Sequence, residues 1–197
     1  MLRDISIAIG PGTPEWPGDI PYSCGWTWQI ARGASVNVSA ITTSPHVGTH
    51  ADAPYHVHDG WPASDALPLD VFTGPATVCA FDQLHALRST RVERLLIRTG
   101  RSIADGAFPT SWPALGVDQV QTLLRAGLRL LGVDAPSVDA RTSTALEVHH
   151  ALFSAGAFNL ENLDLRAVPD GTYELLALPI KILGIDAAPV RAVLRDS

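Results

Sequence analysis

Four of the seven histidines of this chain lie in one short segment, SPHVGTHADAPYHVHDG at positions 44–60. Imidazole nitrogens and carboxylate oxygens are ligands that suit zinc, and a catalytic zinc keeps one coordination position for water. His46, His50 and Asp52 supply three such ligands. Gly48 lies between the two histidines, where a glycine lets the backbone bend tightly enough for both rings to reach one ion. The segment therefore predicts a metal site.

The remaining histidines of this segment are available for other tasks. His56 could act as the acid or base beside the metal. His58 and Asp59 could do similar work, although one extra histidine in a loop needs no role. The alternative for the whole segment is a solvated polar loop, since isolated histidines usually bind no metal.

A second histidine-containing segment, VHHALFSAGAFNLENL, follows at 148–163. His149 shares a predicted helical face with apolar residues, so it is either a satisfied core histidine or a ligand that points into the interior. Glu161 would more often be a solvated carboxylate, but flanking leucines favour a position nearer the core. With His150, six of the seven histidines lie in two short segments. His85 lies outside both and is expected to be exposed.

The elements that must position these side chains are mostly strands. Alternation of apolar and polar residues predicts strands at 4–9, 34–43, 76–82, 94–99, 129–134 and 173–179. The histidine-rich segment follows one of these strands, and its prolines and glycines predict a loop or irregular extended run.

Only two helices are predicted, over 118–127 and 144–156. Asp118 is expected to cap the first helix, and Thr144 with Glu147 fits a capping box for the second. The prediction is a sheet-rich α/β fold with few helices, in one domain spanning the chain.

Composition excludes several partners. The formal net charge is -6, with 14 basic and 20 acidic residues and no Lys/Arg run, which argues against nucleic acid. The N-terminus lacks the pattern of a signal peptide, and no apolar stretch is long enough to span a bilayer. Cys24 and Cys79 do not indicate a disulfide framework. We therefore expect a cytoplasmic protein with no nucleic-acid or membrane partner.

The motif HVGTHADAPYH at 46–56 is similar to the HxGTHxDxPxH signature of the metal-dependent cyclase-like hydrolases. The chain specifically resembles the bacterial kynurenine formamidases, or arylformamidases, of that family. The likeness spans nearly the whole chain, because further segments match in order: WPGD at 16–19, DAPSVD at 134–139, the second histidine segment, and LALPIKILGIDAAPVRAVLR at 176–195.

The resemblance implies a swivelling β/β/α fold, a homodimer, and a binuclear site with two zinc ions per subunit. By position, His46 and His50 would bind the first zinc and His149 the second. Asp52 and Glu161 would bridge both ions.

The resemblance also implies a reaction. His56 matches the proton donor and acceptor of the family, and Trp16 matches a residue that contacts the aromatic substrate, although a tryptophan here could simply pack. The expected activity is hydrolysis of N-formyl-L-kynurenine to L-kynurenine and formate in tryptophan catabolism, with a metal-held hydroxide attacking the formyl carbon.

Two alternatives stay open. The same site could hydrolyse a related amide such as isatin, or the chain could be a metal-binding module without catalysis. A serine hydrolase is disfavoured, because GASVN at 33–37 lacks the closing glycine of a nucleophile elbow and Ser35 lies in a predicted strand.

Overall fold

A computed structural model describes residues 1–87 and 91–196 of the chain, without the side chains of residues 85–87. The expected exposure of His85 therefore lies outside the described residues. Within the described part, no helix combines the length and apolar character needed to cross a bilayer.

The described part of the chain contains eleven strands and two α-helices, together with short 3-10 helices. The strands are β1 Leu2–Asp4, β2 Ser23–Trp28, β3 Val38–Thr42, β4 His50–Asp52, β5 Thr73–Ala80, β6 Arg94–Arg98, β7 Leu130–Val133, β8 Phe158–Leu160, β9 Gly171–Leu176, β10 Ala187–Pro189 and β11 Val193–Asp196. The helices are α1 Val117–Arg125 and α2 Glu147–Ser154.

Seven strands form one mixed sheet in the order β1-β11-β9-β5-β6-β7-β8. Strands β5 to β8 pair in parallel, whereas β9, β11 and β1 pair antiparallel at the other side. Two smaller ribbons pair β4 with β10 and β2 with β3. The predicted sheet-rich α/β fold with few helices is confirmed, whereas a single domain over the whole chain stays a prediction.

The central strand β6 contributes to apolar clusters on both faces of the sheet. Leu96 packs in a cluster with Phe72, whereas Leu95 and Ile97 join a second cluster with Leu152 of α2. Successive side chains of a strand point to opposite faces, so a strand that is buried on both faces is apolar along its length.

The predicted strands at 76–82, 94–99, 129–134 and 173–179 correspond to β5, β6, β7 and β9. The two N-terminal predictions are partly wrong, because the one at 4–9 shares only Asp4 with β1 and the one at 34–43 is too long. Strand β1 ends at Asp4, after which Ser6 makes only an isolated bridge to Leu163, and β3 begins at Val38. Short strands such as β4 and β8 have too few residues to show a periodic pattern.

Both helices lie where they were predicted, but the predicted N-terminal caps are wrong. Asp118 lies within the first turn of α1, which follows Gly116. Helix α2 begins at Glu147, and Thr144 does not cap it. Instead, the carboxylate of Asp139 accepts hydrogen bonds from the backbone N–H groups of the first turn of α2, an arrangement that spacing within the helix cannot reveal.

Candidate metal centre

The two predicted ligand segments meet through their backbones. Strand β4, which contains His50 and Asp52, pairs with β10 on one side. On the other side His50 forms an antiparallel bridge with Glu161, which follows β8. The side chains of residues directly opposite in such a bridge lie on the same face. The fold therefore places both segments around one buried point.

Gly48 makes the bend that this placement requires. Its φ is +74°, a conformation that glycine adopts without a steric penalty. A Cβ atom at this position would lie 2.6 Å from Cγ1 of Ile9, so the close packing also excludes a side chain. The bend turns the carbonyl of Gly48 towards His50, whose Nδ1 lies 2.9 Å from that oxygen.

Five predicted ligands form two overlapping groups, in each of which one candidate donor atom per residue lies within 4.8 Å of the others. His46, His50 and Asp52 form the first group, and Asp52, His149 and Glu161 form the second. Asp52 directs one oxygen to each group. Its Oδ1 lies 3.1 Å from His46 Nδ1 and 3.3 Å from His50 Nε2, and its Oδ2 lies 3.1 Å from His149 Nε2.

Glu161 also faces both groups. Its Oε2 lies 3.5 Å from His50 Nε2, and its Oε1 lies 3.2 Å from His149 Nε2. The backbone N–H of Val138 donates a hydrogen bond to Oε1 at 2.8 Å, which fixes the carboxylate in this orientation. Asp52 and Glu161 thus each place one carboxylate oxygen near the first group and the other near the second.

The three histidines of these groups each place one ring nitrogen towards the cluster and the other against an acceptor. Such an acceptor orients the ring and selects the tautomer whose inner nitrogen carries a free lone pair. The pairs are His46 Nε2 with Asp186 Oδ2 at 2.8 Å, His50 Nδ1 with the Gly48 carbonyl at 2.9 Å, and His149 Nδ1 with Asp139 Oδ2 at 2.6 Å.

The electrostatics of the cluster favour a cation. Burial by itself would lower the pKa of His50, but the neighbouring charges of Asp52 and Glu161 outweigh burial and raise this pKa to about 10. Burial opposes ionisation of Asp52 as well, yet the histidines hold its pKa well below the ordinary value. The buried carboxylates are therefore stable only beside positive charge, which protons on the imidazoles or a metal ion can supply.

The donor set fits a metal ion. All five residues offer nitrogen or oxygen atoms of the kind that zinc and related divalent ions bind. Asp52 Oδ1 is buried and receives no hydrogen bond of suitable direction from the described residues, so a cation would complete its surroundings.

A cavity of about 280 Å³ opens above the cluster. His46, His50, His149 and Glu161 line its inner part. Its outer wall contains Trp16 and Phe108, whose rings meet edge to face with centroids 5.4 Å apart.

The structure also brings His56 to the cluster. Its ring centroid lies 4.5 Å from that of His46, and its Nδ1 lies 3.5 Å from Asp186 Oδ2. The side chain of His56 is 30% exposed, so it can reach both the cavity and solvent. His58 and His150 instead pack against Trp61, with ring centroids 4.8 Å and 5.9 Å from that of the indole.

Sequence reasoning missed three polar residues of this site. Asp139 and Asp186 orient His149 and His46, and Asn159 contacts the second group directly. All three carried a signal that could have been used. Asp139 and Asp186 lie within the segments that carry the family resemblance, and Asn159 precedes Glu161 by two residues, the spacing that puts side chains on one face of an extended chain.

Comparison with known proteins agrees with this geometry. Residues 3–140 match the family model described as "Putative cyclase". A kynurenine formamidase from Salinibacter ruber is 44% identical over 209 residues, covering 100% of this chain and 98% of that protein. One from Bordetella avium is 41% identical, covering 99% of this chain and 98% of that protein.

Solved structures share the fold. One described as a potential metal-dependent hydrolase with cyclase activity has a TM-score of 0.84 at 28% identity, covering 98% of this chain and 96% of its own. Isatin hydrolase A from Ralstonia solanacearum has a TM-score of 0.79 at 22% identity, covering 98% and 91%, a likeness that concerns the fold alone.

The sheet-rich α/β fold and the buried histidine–carboxylate cluster, together with these relatives, define a metal-dependent hydrolase. The share of the chain covered by the family model and by these relatives then identifies the family of this hydrolase. This chain belongs to the cyclase family.

Proposed function

We propose that this chain hydrolyses N-formyl-L-kynurenine to L-kynurenine and formate with two zinc ions per subunit. The observation that carries the proposal is that Asp52 and Glu161 each direct one oxygen to each of two ligand groups. These groups lie beneath a cavity with an aromatic wall. Relatives covering the whole chain are kynurenine formamidases, which supports the choice of substrate.

The roles of the ligands follow from their groups. His46 and His50 would hold one ion and His149 the other, and Asp52 and Glu161 would be shared by both. When bound, a divalent ion polarises a carbonyl and lowers the pKa of water enough to supply hydroxide near neutral pH.

His56 is the proposed proton carrier. It lies beside the cluster and remains partly exposed, so it can protonate the aryl amine that leaves when the amide bond breaks. Asp186 lies near His56 Nδ1, which would direct the other ring nitrogen towards the cavity.

The cavity suits a kynurenine-like amino acid. Trp16 and Phe108 offer flat surfaces for an aryl ring, and the volume is near the lower end of the range for small-molecule sites. Asp19 also lines the cavity, and its carboxylate can bind the ammonium group of the amino acid. Isatin has no such group.

The test compares three substrates with the purified zinc-loaded protein: N-formyl-L-kynurenine, formanilide and isatin. We expect the highest kcat/KM for N-formyl-L-kynurenine. Asp19→Asn should lower that value while leaving formanilide, which lacks the ammonium group, unaffected. Preference for isatin would refute the proposed substrate, and bound zinc without hydrolysis of any aryl formamide would indicate a metal-binding module.

We also propose a homodimer, for which the β2–β3 ribbon provides a surface. Trp26, Trp28 and Ile41 are 55%, 59% and 64% exposed, and an isolated two-stranded ribbon is marginally stable in water. A second copy of the chain would cover this apolar surface. Light scattering should show a dimer that Ile41→Glu dissociates, whereas Leu183→Glu, a change at an exposed leucine outside the ribbon, should not. A dimer that survives Ile41→Glu would contradict this interface.

A cytoplasmic location completes the proposal. Cys24 and Cys79 are both unpaired in the structure, which suits a reducing compartment. Fractionation of cells that express the chain tests this location, and recovery outside the cytoplasm would contradict it.

A further inference from the structure

Asn159 is a fully buried amide in a strand that is otherwise apolar. It lies in β8 between Phe158 and Leu160, which both pack in the core, and its own exposure is 0%. Burying an amide costs free energy unless it is paired, so an apolar residue would be the simpler choice for this position. Its side chain lies on the same side of the chain as that of Glu161.

One end of the Asn159 amide contacts the donor atoms of the second ligand group. The atom Nδ2 lies 2.6 Å from Asp52 Oδ2, 3.1 Å from Glu161 Oε1 and 3.3 Å from His149 Nε2. The other end, Oδ1, is buried and has no hydrogen-bond partner among the described residues. Within the part of the chain that the structure describes, the amide is therefore directed at this group and forms hydrogen-bond contacts only with it.

The charge of the group determines which end of the amide it attracts. Without a cation, the oxygens of Asp52 and Glu161 favour the N–H donors, which reduce the repulsion between the two carboxylates. With a divalent cation among the same three atoms, the favoured end is the oxygen, because an amide oxygen is a metal ligand and an NH₂ group is not. A half-turn about the terminal side-chain bond exchanges the two ends.

We propose that Asn159 is a fourth protein ligand of the second ion, through Oδ1. The inference rests on the proposed two-ion site and adds to it a residue that sets the affinity of one ion. With Asp52 and Glu161 shared, each ion would have four protein ligands, and only the second ion would depend on Asn159.

Three variants test this role. Asn159→Leu keeps the approximate shape but removes the oxygen, whereas Asn159→Asp keeps an oxygen and removes the N–H donors. Leu160→Ile is the matched control, because it changes a buried neighbour whose side chain packs in the core. The readouts are Zn²⁺ equivalents per chain, Zn²⁺ affinity by competition with a chromophoric chelator, and the visible spectrum of the Co²⁺-loaded protein.

We expect Asn159→Leu to weaken the second Zn²⁺ equivalent by about 10-fold or more, to leave the first unchanged, and to alter the Co²⁺ spectrum. Asn159→Asp and Leu160→Ile should keep both equivalents. Wild-type affinity in Asn159→Leu would overturn the inference, as would equal weakening in Asn159→Asp, which would assign the effect to the N–H donors. A wild-type protein that hydrolyses the formamide but binds no more than one Zn²⁺ equivalent would overturn the inference and the proposed second metal position. The proposed hydrolase activity would not be affected by that result.

Discussion

His50 and Glu161 exchange two backbone hydrogen bonds, from His50 N–H to the Glu161 carbonyl at 3.3 Å and from Glu161 N–H to the His50 carbonyl at 3.0 Å. The two ligand segments are therefore joined by main-chain atoms as well as by their side chains. Since these bonds need no ion, the fold itself holds the ligands close together. Such preorganisation lets a cation bind without a large rearrangement.

Metal removal should accordingly leave the fold intact but less stable. A ligand that binds only the folded state stabilises it by about 2.7 kcal/mol at a free concentration 100 times its Kd. We expect dialysis against a chelator to lower the melting temperature and abolish hydrolysis, with the far-ultraviolet circular dichroism spectrum unchanged. Added Zn²⁺ should restore both properties. Full activity after the chelator has removed all metal would contradict a metal-dependent reaction.

His56→Ala should separate proton transfer from metal binding. Loss of a positioned acid or base typically lowers the rate by about 10²- to 10⁴-fold. Because His56 belongs to neither of the two proposed ligand groups, we expect this variant to keep its zinc content. His50→Ala, by contrast, should lose both zinc and activity. An unchanged kcat in His56→Ala would remove this histidine from the mechanism.

Gly48→Ala should damage the site through the backbone. Gly60 offers a matched control, because it also has a positive φ, +85°, but has open space where a side chain would extend. Placing alanine in this conformation costs about 1 kcal/mol, and overpacking against Ile9 adds about 1–3 kcal/mol. Urea unfolding should therefore show a larger loss for Gly48→Ala, with reduced zinc affinity. An equal loss of unfolding free energy in the two variants would mean that the Ile9 side chain can move aside without an energetic cost.

The chain termini should give a small acid-dependent contribution to stability. The Arg191 guanidinium hydrogen-bonds to Asp4 and lowers the pKa of that carboxyl. A lowered folded-state pKa stabilises the fold above the ordinary value of 3.8, and the contribution is lost as the pH falls through the lowered value. Asp4→Asn should thus lower the melting temperature more at pH 7 than at pH 2.

The effect of Asp4→Asn should also shrink in 1 M salt, because Asp4 and Arg191 are 46% and 75% exposed and salt screens exposed charges. If Asp4→Asn lowered the melting temperature equally at pH 7 and pH 2, the effect would come from packing and not from the charge of Asp4.

The sequence by itself determined five of the side chains that gather at the site. The spacing of His46, His50 and Asp52 predicted three members of one group, and the family resemblance added His149 and Glu161. The central strands were also predictable, because apolar runs such as Leu95 to Ile97 are buried on both faces of the sheet. These features depend on local pattern or on a short motif.

Only the tertiary structure decided how the site is supported. The contact of Asp139 with α2 joins residues ten positions apart and lies outside any regular spacing, and that of Asp186 with His46 joins residues 140 positions apart. The contact of Asn159 with Asp52 joins two different elements in the same way. Spacing along a strand or helix fixes neighbours within that element, but the pairing of the sheet fixes which distant carboxylate or amide meets a given histidine. That pairing depends on burial of the whole core, so no local segment encodes it.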